Sequence, residues 1–497
     1  MTPAQSALLH DLSPVLGPPG VTTDADLIEP WTIDWRRRYR GTATALLSPA
    51  STQEVAAVVQ AAIRHGVPLV AQGGNSSMVG GATPPADGSA VLLSLRRMNR
   101  IRSLDADAGL AVCEAGVILA DLHAAALTQG RRFPLTLGAR GNATVGGLVS
   151  TNAGGTQVLR WGTMRGLVAG LEAVLPSGET YDGLAALKKD NRGYDLTQLL
   201  IGAEGTLGIV TAATLRLAPA IVQRGVAWIG VGDPHAALTL LRRLQRQTDA
   251  VESFELLPAE TLAAVLAHLP AARAPLAGAH RWHVLVEAVT GDAAARPPAD
   301  ELADWLAPSL ADGLVEDAAV AASEAQAEAF WRLRDSISDA ERATGPAVQH
   351  DISVPVEAMP RFMVEAAAAA EARFPGTRAS GFGHLGDGNV HFHVRAPRGA
   401  DRDGWYADEA PAITRFVHDL VVAVSGSISA EHGIGQMKLA ELERLTSPAR
   451  LGAMRAIKAA LDPLGLMNPG KLLAPAPVIA PVTAPVPSAL ARGGPPA

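Results

Sequence analysis

The run Gly381-Phe382-Gly383-His384-Leu385-Gly386-Asp387-Gly388-Asn389-Val390-His391-Phe392-His393 gathers three imidazoles among four glycines. It contains a literal Gly-x-Gly-x-x-Gly, but a dinucleotide fingerprint must open a helix. This one runs into Asp387-Gly388 and an alternating strand, and Asp-Gly between two short runs is a hairpin turn. With a two-residue loop, His384 lies directly opposite His391, about 5 Å away at Cβ. His393 falls on the same face, one pleat further. Two converging imidazoles are half of a metal site, or else a solvated histidine pair. The run Ser427-Ile428-Ser429-Ala430-Glu431-His432-Gly433-Ile434-Gly435 offers the complement. Read as a strand that ends in a Gly-bounded turn, it presents Glu431 as a carboxylate ligand and His432 beside it as a base.

These side chains need a platform, and three glycine-rich runs could supply one. The first, Gln72-Gly73-Gly74-Asn75-Ser76-Ser77-Met78-Val79-Gly80-Gly81, follows a short apolar strand at 67–71. A strand entering such a loop exposes backbone N–H groups and small hydroxyls, a concavity suited to a diphosphate. Alone it could equally be a tight surface turn, and with no Lys after its last Gly it is not a P-loop. The second run spans 134–155 and includes Thr144-Val145-Gly146-Gly147 and Asn152-Ala153-Gly154-Gly155. The third is Ile201-Gly202-Ala203-Glu204-Gly205-Thr206-Leu207-Gly208-Ile209-Val210.

In this order and spacing the three runs resemble the FAD domain of the vanillyl-alcohol oxidase / p-cresol methylhydroxylase flavoproteins, over about residues 49–473. Within that superfamily the chain is most similar to the FAD-dependent D-2-hydroxyacid dehydrogenases, above all their hydroxyglutarate-oxidising branch. The resemblance implies an α+β chain. Its parts are a lead-in (1–45), a two-subdomain FAD domain (46–219) and an α+β substrate or cap domain bearing the metal site (220–445). A C-terminal segment (446–473) then returns to the FAD domain, before a disordered Pro/Ala-rich tail (474–497).

FAD contacts are expected from Gln72, Gly73, Gly74, Asn75, Ser76, Ser77, Val79 and Gly80 of the first run. The second contributes Pro134, Thr136, Gly138, Thr144, Gly146, Gly147, Ser150, Thr151, Asn152, Gly154 and Gly155. The third contributes Glu204, Gly205, Gly208 and Ile209, and Asn468 joins from the C-terminal segment. Glycines of the second run would let backbone pass close to a flat ring. Residues 72–81 contain no His, so the FAD is expected to be non-covalent.

The same resemblance assigns His384, His391 and Glu431 to a divalent metal, commonly zinc, and His432 to the substrate hydroxyl proton. Hydride would pass from C2 of a D-2-hydroxy acid to flavin N5. Arg334, in Trp331-Arg332-Leu333-Arg334, matches a substrate-binding arginine, and Ser338 shares its face if one helix covers 324–338. Two positions depart from the hydroxyglutarate pattern: Gln349 stands where that pattern has Lys, and His393 where it has Asn. The loss of Lys weakens the grip on a second carboxylate. His393 could bind substrate or enter the metal shell, and a lactate-like substrate stays open beside hydroxyglutarate. Electrons would go to an external acceptor such as an electron-transfer flavoprotein or a quinone. Alternatively the chain is the flavoprotein subunit of a glycolate-oxidase-type complex with an iron–sulfur partner.

Bulk properties agree. A chain of 497 residues can hold two large domains or three of about 150 residues. The net charge of −7 argues against nucleic acid as partner. The single cysteine, Cys113, excludes an intrachain disulfide or iron–sulfur cluster. It reads as a buried thiol and fits a reducing, cytoplasmic setting. There is no signal-peptide pattern at the N-terminus and no apolar run of membrane-spanning length. A homodimer is compatible with all of this. The lead-in carries one conspicuous feature, Trp35-Arg36-Arg37-Arg38-Tyr39-Arg40. It is either a solvated basic face or a contact for an anionic group, with the aromatics stacked on guanidinium planes.

Overall fold

The computed structural model describes residues 1–475, so the tail expected over 474–497 lies almost wholly outside the described residues. The N-terminal residues are more than a lead-in. Pro3–Leu16 is a helix whose start is fixed by a reciprocal capping box: Gln5 N–H donates to Thr2 Oγ1, and Thr2 N–H donates to Gln5 Oε1. Its Leu8, Leu9, Leu12 and Leu16 are buried against the helix Thr52–His65, whose Val55, Val58, Val59 and Ala62 fill the same core. That second helix starts with Glu54 N–H on Ser51 Oγ and ends at Gly66, where φ is 62°. The strand Val21–Thr22 then pairs with Leu46–Leu47, so the opening residues belong to the first subdomain.

In that subdomain Leu46–Leu47, Val91–Ser94 and Leu69–Gln72 run parallel, and the last delivers the chain into the first glycine loop. The second subdomain is a five-stranded antiparallel sheet in the order Ile101–Asp105, Leu110–Glu114, Ile209–Arg216, Val168–Val174, Thr180–Gly183. Cys113 is enclosed in it, and burial pushes its thiol up to about 12, as befits an inert core residue. The last described segment comes back to the first sheet. Leu69 N–H donates to Leu466 O at 2.8 Å and Asn468 N–H donates to Leu69 O at 2.9 Å, so 466–468 line the outer edge of Leu69–Gln72.

The cap is one antiparallel sheet of seven strands. Their order is Asp317–Val320, Gln223–Val231, Trp282–Thr290, Val251–Pro258, Arg378–His384, Asn389–Arg395, Ala347–Ser353. Period-two alternation sorts its two faces. Val390, Phe392, Val394, Ile352, Phe254 and Leu256 pack against the helices Pro234–Gln247, Pro298–Ala311, Met359–Arg373 and Ala410–Ala423. The residues between them, Glu255, Asp351, His391 and His393, therefore point to the opposite face. His384 joins them there, two residues on from Phe382, which belongs to that face's core.

The sequence reading needs correction in five elements, the first being 427–431, which is not a strand but irregular chain held by a single bridge from Ser427 to Ser353. Val251–Pro258 is a strand that the pattern hid, because Glu252, Ser253 and Glu255 interrupt its apolar run. The Pro-rich stretch 295–299, which reads as a loop because Pro297 and Pro298 adjoin, is cut short by Pro298 at the first position of a helix. The expected single helix 324–338 divides at Ser336 into Glu324–Asp335 and Ile337–Ala343. The hairpin register is shifted: its turn has four residues, 385–388, so His384 pairs with Asn389 and Phe382 with His391. A slip of two residues preserves the face. The two imidazoles still meet, diagonally, with ring centroids 5.6 Å apart.

Candidate active site

His384, His391 and Glu431 each offer a ligand atom, and these atoms lie within 4.8 Å of one another. His384 Nε2 is 3.9 Å from Glu431 Oε1. Behind His384, Glu255 Oε1 sits 2.6 Å from Nδ1, so the ring is oriented with Nε2 facing Glu431. Burial opposes a charge on His384, but Glu255 outweighs it and brings the imidazole to about 9. His391 is pushed well below its ordinary value by burial and then by His384. The Glu431 carboxyl is pushed upward, chiefly by burial.

Asp351, on the edge strand Ala347–Ser353, organises the rest. Its Oδ2 accepts the backbone N–H of both Glu431 and His432 at 2.9 Å, and its Oδ1 accepts Asn389 Nδ2 at 3.0 Å. The same Oδ2 lies 3.4 Å from His432 Nδ1. Lys438 Nζ donates to the carbonyls of Asp351 and Ile428 beneath the loop. Burial disfavours the charge on Asp351, yet His432, Lys438 and His391 hold its carboxyl far below the usual range. His432 is lowered to about 4 by burial, which Asp351 only partly offsets, so its ring is neutral at ordinary pH.

Three donors at chelating separation, one backed by a second carboxylate, fit a divalent cation of the His/His/carboxylate kind. Asp351, Glu431 and His432 form a second close group, but both Asp351 oxygens are already taken by N–H donors.

The remaining expected substrate residues fare unevenly. Arg334 reaches the site, with Nη2 3.3 Å from His384 Nε2, but its Nε donates to Glu255 Oε2 at 2.9 Å. It is thus partly committed to a buried partner. Ser338 lies beyond the helix break and is exposed, so a shared continuous helical face with Arg334 is not realised. His393 stays outside the metal set: its Nδ1 is 3.2 Å from Glu341 Oε2, which also pairs with Arg395. The two departures flagged above face each other across the strands, Gln349 opposite His393.

Comparison with known proteins is consistent over nearly the whole length. Residues 43–183 match the model described as an FAD binding domain, and 223–472 match the FAD linked oxidases, C-terminal domain. A protein of Arabidopsis thaliana named D-2-hydroxyglutarate dehydrogenase, mitochondrial, is 37% identical over 462 residues, covering 92% of this chain and 80% of its own. One of Xanthomonas citri pv. viticola named D-2-hydroxyglutarate dehydrogenase is 37% identical over 451 residues, covering 91% and 93%. The chain belongs to the FAD-linked D-2-hydroxyglutarate dehydrogenase family. It is an FAD-dependent oxidoreductase. The p-cresol methylhydroxylase fold is shared as well: the crystal structure of that enzyme with substrate bound superposes with a TM-score of 0.74 at 16% identity, covering 95% of this chain and 97% of the other.

The glycine runs of this oxidoreductase can be tested against its FAD. Among the described residues the backbone N–H groups of Gly74, Asn75, Ser76 and Ser77 have no intramolecular acceptor, which suits a diphosphate. Asn468 Nδ2 donates to Gly81 O and Glu204 O, while its buried Oδ1 is unpartnered and free to accept from a ligand. These features fit the cofactor.

Several other expected FAD contacts have side chains employed elsewhere. Gln72 Nε2 donates to Trp31 O and Ala82 O, although its buried Oε1, like Asn468 Oδ1, is unpartnered. Thr144 Oγ1 accepts the Gly147 N–H as N-cap of the helix Val145–Thr151, Asn152 Oδ1 accepts the Arg165 N–H, and Thr151 Oγ1 donates back to Gly147 O. Both Glu204 oxygens accept N–H groups at 2.7 Å, from Ile434 and Gly435. Glu204 therefore pins the His432 loop to the FAD domain. The ring-clearance reason given for the second run's glycines also needs revision. A Cβ on Gly146 would meet Ala115 Cβ at 2.7 Å, and one on Gly155 would meet Thr136 O at 2.2 Å, so protein packing requires them. Gly154 instead abuts Glu431, 3.4 Å from where its Cβ would stand, bringing the cofactor run against the metal set.

Sequence reasoning missed Glu255 as a partner of His384 and Asp351 as the organiser of the His432 loop. Glu255 had no signal, because its strand went unrecognised. Asp351 had one: it is the single acidic residue in the run 347–353, and an acid at a strand interior calls for partners.

Proposed function

We propose that this enzyme oxidises a D-2-hydroxy acid, D-2-hydroxyglutarate or a close relative, to the 2-oxo acid, using FAD and a divalent metal, with zinc as the first candidate. The observation that carries the reading is the convergence of buried His384 with half-buried His391 and Glu431 beside His432 and the second glycine run. When bound, the flavin supplies a hydride acceptor and the cation a Lewis acid. His384, His391 and Glu431 would hold the cation, with Glu255 fixing the tautomer of His384.

The protein's own part is proton handling and placement. His432 is neutral down to about 4, so it can accept the substrate hydroxyl proton. Asp351 fixes the backbone on which His432 stands and faces its Nδ1, leaving Nε2 for the substrate. Arg334 adds positive charge beside His384 for the substrate's 1-carboxylate. Electrons would leave to an external acceptor such as an electron-transfer flavoprotein or a quinone, since one cysteine cannot hold a cluster within this chain.

The test is anaerobic mixing with D- and L-2-hydroxy acids while flavin absorbance is followed. The D-acids should bleach the flavin, and His432→Ala should abolish bleaching with FAD still bound. Unchanged reduction in that variant removes the base assignment. Full activity in chelator-stripped protein removes the metal.

A further inference from the structure

The loop that carries Glu431 and His432 hangs between two buried carboxylates, one from each domain. Asp351 of the cap accepts the backbone N–H groups of residues 431 and 432 at 2.9 Å. Glu204 of the FAD domain takes the pair beyond them. Its Oε1 accepts the Ile434 N–H and its Oε2 the Gly435 N–H, both at 2.7 Å. An irregular stretch of chain thus has its N–H groups satisfied by two side chains instead of a ladder. Gly433, between the two pairs, stands at φ 79°, and a Cβ there would lie 2.8 Å from Glu204 Oε1.

Past Gly433 the loop is laced to the cofactor cradle. The N–H groups of Gln436 and Met437 donate to Val79 O at 3.1 and 3.2 Å, and Gln436 Nε2 donates to Gly80 O at 3.0 Å. A Cβ on Gly435 would meet Val79 O at 2.3 Å, and Leu472 N–H donates to Gly435 O at 3.0 Å. Glu204 is the node of this lacing. Its own N–H donates to Ser150 O at 2.8 Å in the second glycine run, and its carbonyl accepts Asn468 Nδ2. The residue is buried and holds a left-handed backbone, φ 51°, which is uncommon outside glycine. Such a conformation persists where surrounding contacts over-determine it, and it concentrates at functional sites. A carboxylate accepting two backbone N–H groups makes charge-assisted bonds, stronger than neutral ones. All three glycine runs and the C-terminal segment are therefore joined to the Glu431–His432 loop by direct hydrogen bonds, a contiguous network of the kind that carries coupling.

We propose that Glu204 is a positioning residue that couples the two cofactors: through it, seated FAD sets Glu431 for the divalent cation, and the cation in turn tightens FAD. This rests on the FAD-and-metal reading above. Linkage makes the effect reciprocal, so it can be read on the holoenzyme from the flavin side. FAD affinity is measured by flavin fluorescence on dilution of zinc-loaded and chelator-stripped protein. Stripping should weaken FAD binding about tenfold in wild type, and Glu204→Gln should bring that ratio close to one. Glu204→Asp, too short to span both N–H groups, should fall between. A residue with a merely structural part would lower FAD affinity in both states and leave the ratio intact. That result overturns the assignment, and so does a ratio of one in wild type. Zinc affinity of the FAD-loaded protein is the second readout; it should fall about tenfold in Glu204→Gln, and an unchanged value overturns the assignment. If Glu204→Gln yields no soluble holoenzyme, Glu204→Asp decides, a wild-type ratio there being fatal. Wild type that binds no zinc removes the metal reading together with the coupling, whereas zinc binding without effect on FAD removes the coupling alone.

Discussion

At the scale of single residues, the site works through pairs in which a carboxylate stands behind an imidazole. Glu255→Gln should keep the fold but weaken metal binding by about 10–100-fold, measured as bound metal against buffered free zinc. Retention of wild-type affinity would show that Glu255 does not orient His384. The pH profile gives a second check. His432 has its folded pKa depressed to about 4, so the proton-accepting form persists as pH falls through 6.5 and is lost only near 4. The rate of flavin reduction should therefore hold across the ordinary imidazole range, and an acid limb at 6.5 would contradict the assignment. The grouping of His384, His391, Glu431 and His432 was legible because histidine, with 13 in 497 residues, clustered around short Gly-bounded turns. Glu255 was not: it lies 129 positions from His384 and is one of 49 acidic residues with no local pattern to mark it.

At the scale of elements, what could be read followed hydrophobic period. The helices Pro234–Gln247 and Thr52–His65 carry their apolar residues on a clean 3.6-residue stripe and bury that face. The strand Val251–Pro258 is buried on both faces but holds three polar residues, each satisfied by partners distant in sequence. Alternation alone cannot reveal such a strand. The hairpin illustrates a finer limit. Turn chemistry gave the correct face, but loop length, and hence register, depended on Gly388, which stands at φ 80° with Val354 O where a Cβ would need room. The glycine loops supply an element-scale prediction. A Cβ on Gly74 would come within 1.8 Å of Asn142 O, so Gly74→Ala should force the first and second runs apart. The expected result is a purified protein with a reduced flavin-to-protein ratio, and full occupancy would count against the loop as the diphosphate cradle.

At the scale of the whole molecule, two domains share one site and one clamp. Arg132 of the FAD domain grips Glu252 of the cap through two hydrogen bonds, and Trp161 donates to the same carboxylate. Acid should loosen the cap. His283 and His350 are buried and held neutral, lowered by burial to about 4 and about 3. Their contribution to stability is complete above the unfolded value near 6.5 and is lost as pH falls towards the folded values. The melting temperature should drop between pH 7 and 5, and the drop should be smaller in His283→Asn; identical slopes would exclude His283 as a source. The edge contact of residues 466–468 with Leu69 has a different consequence, one of timing. The sheet that launches the diphosphate loop waits for a neighbour encoded some four hundred codons later. During synthesis, the nucleotide-binding half must stand with a bare margin until nearly the entire polypeptide has left the ribosome.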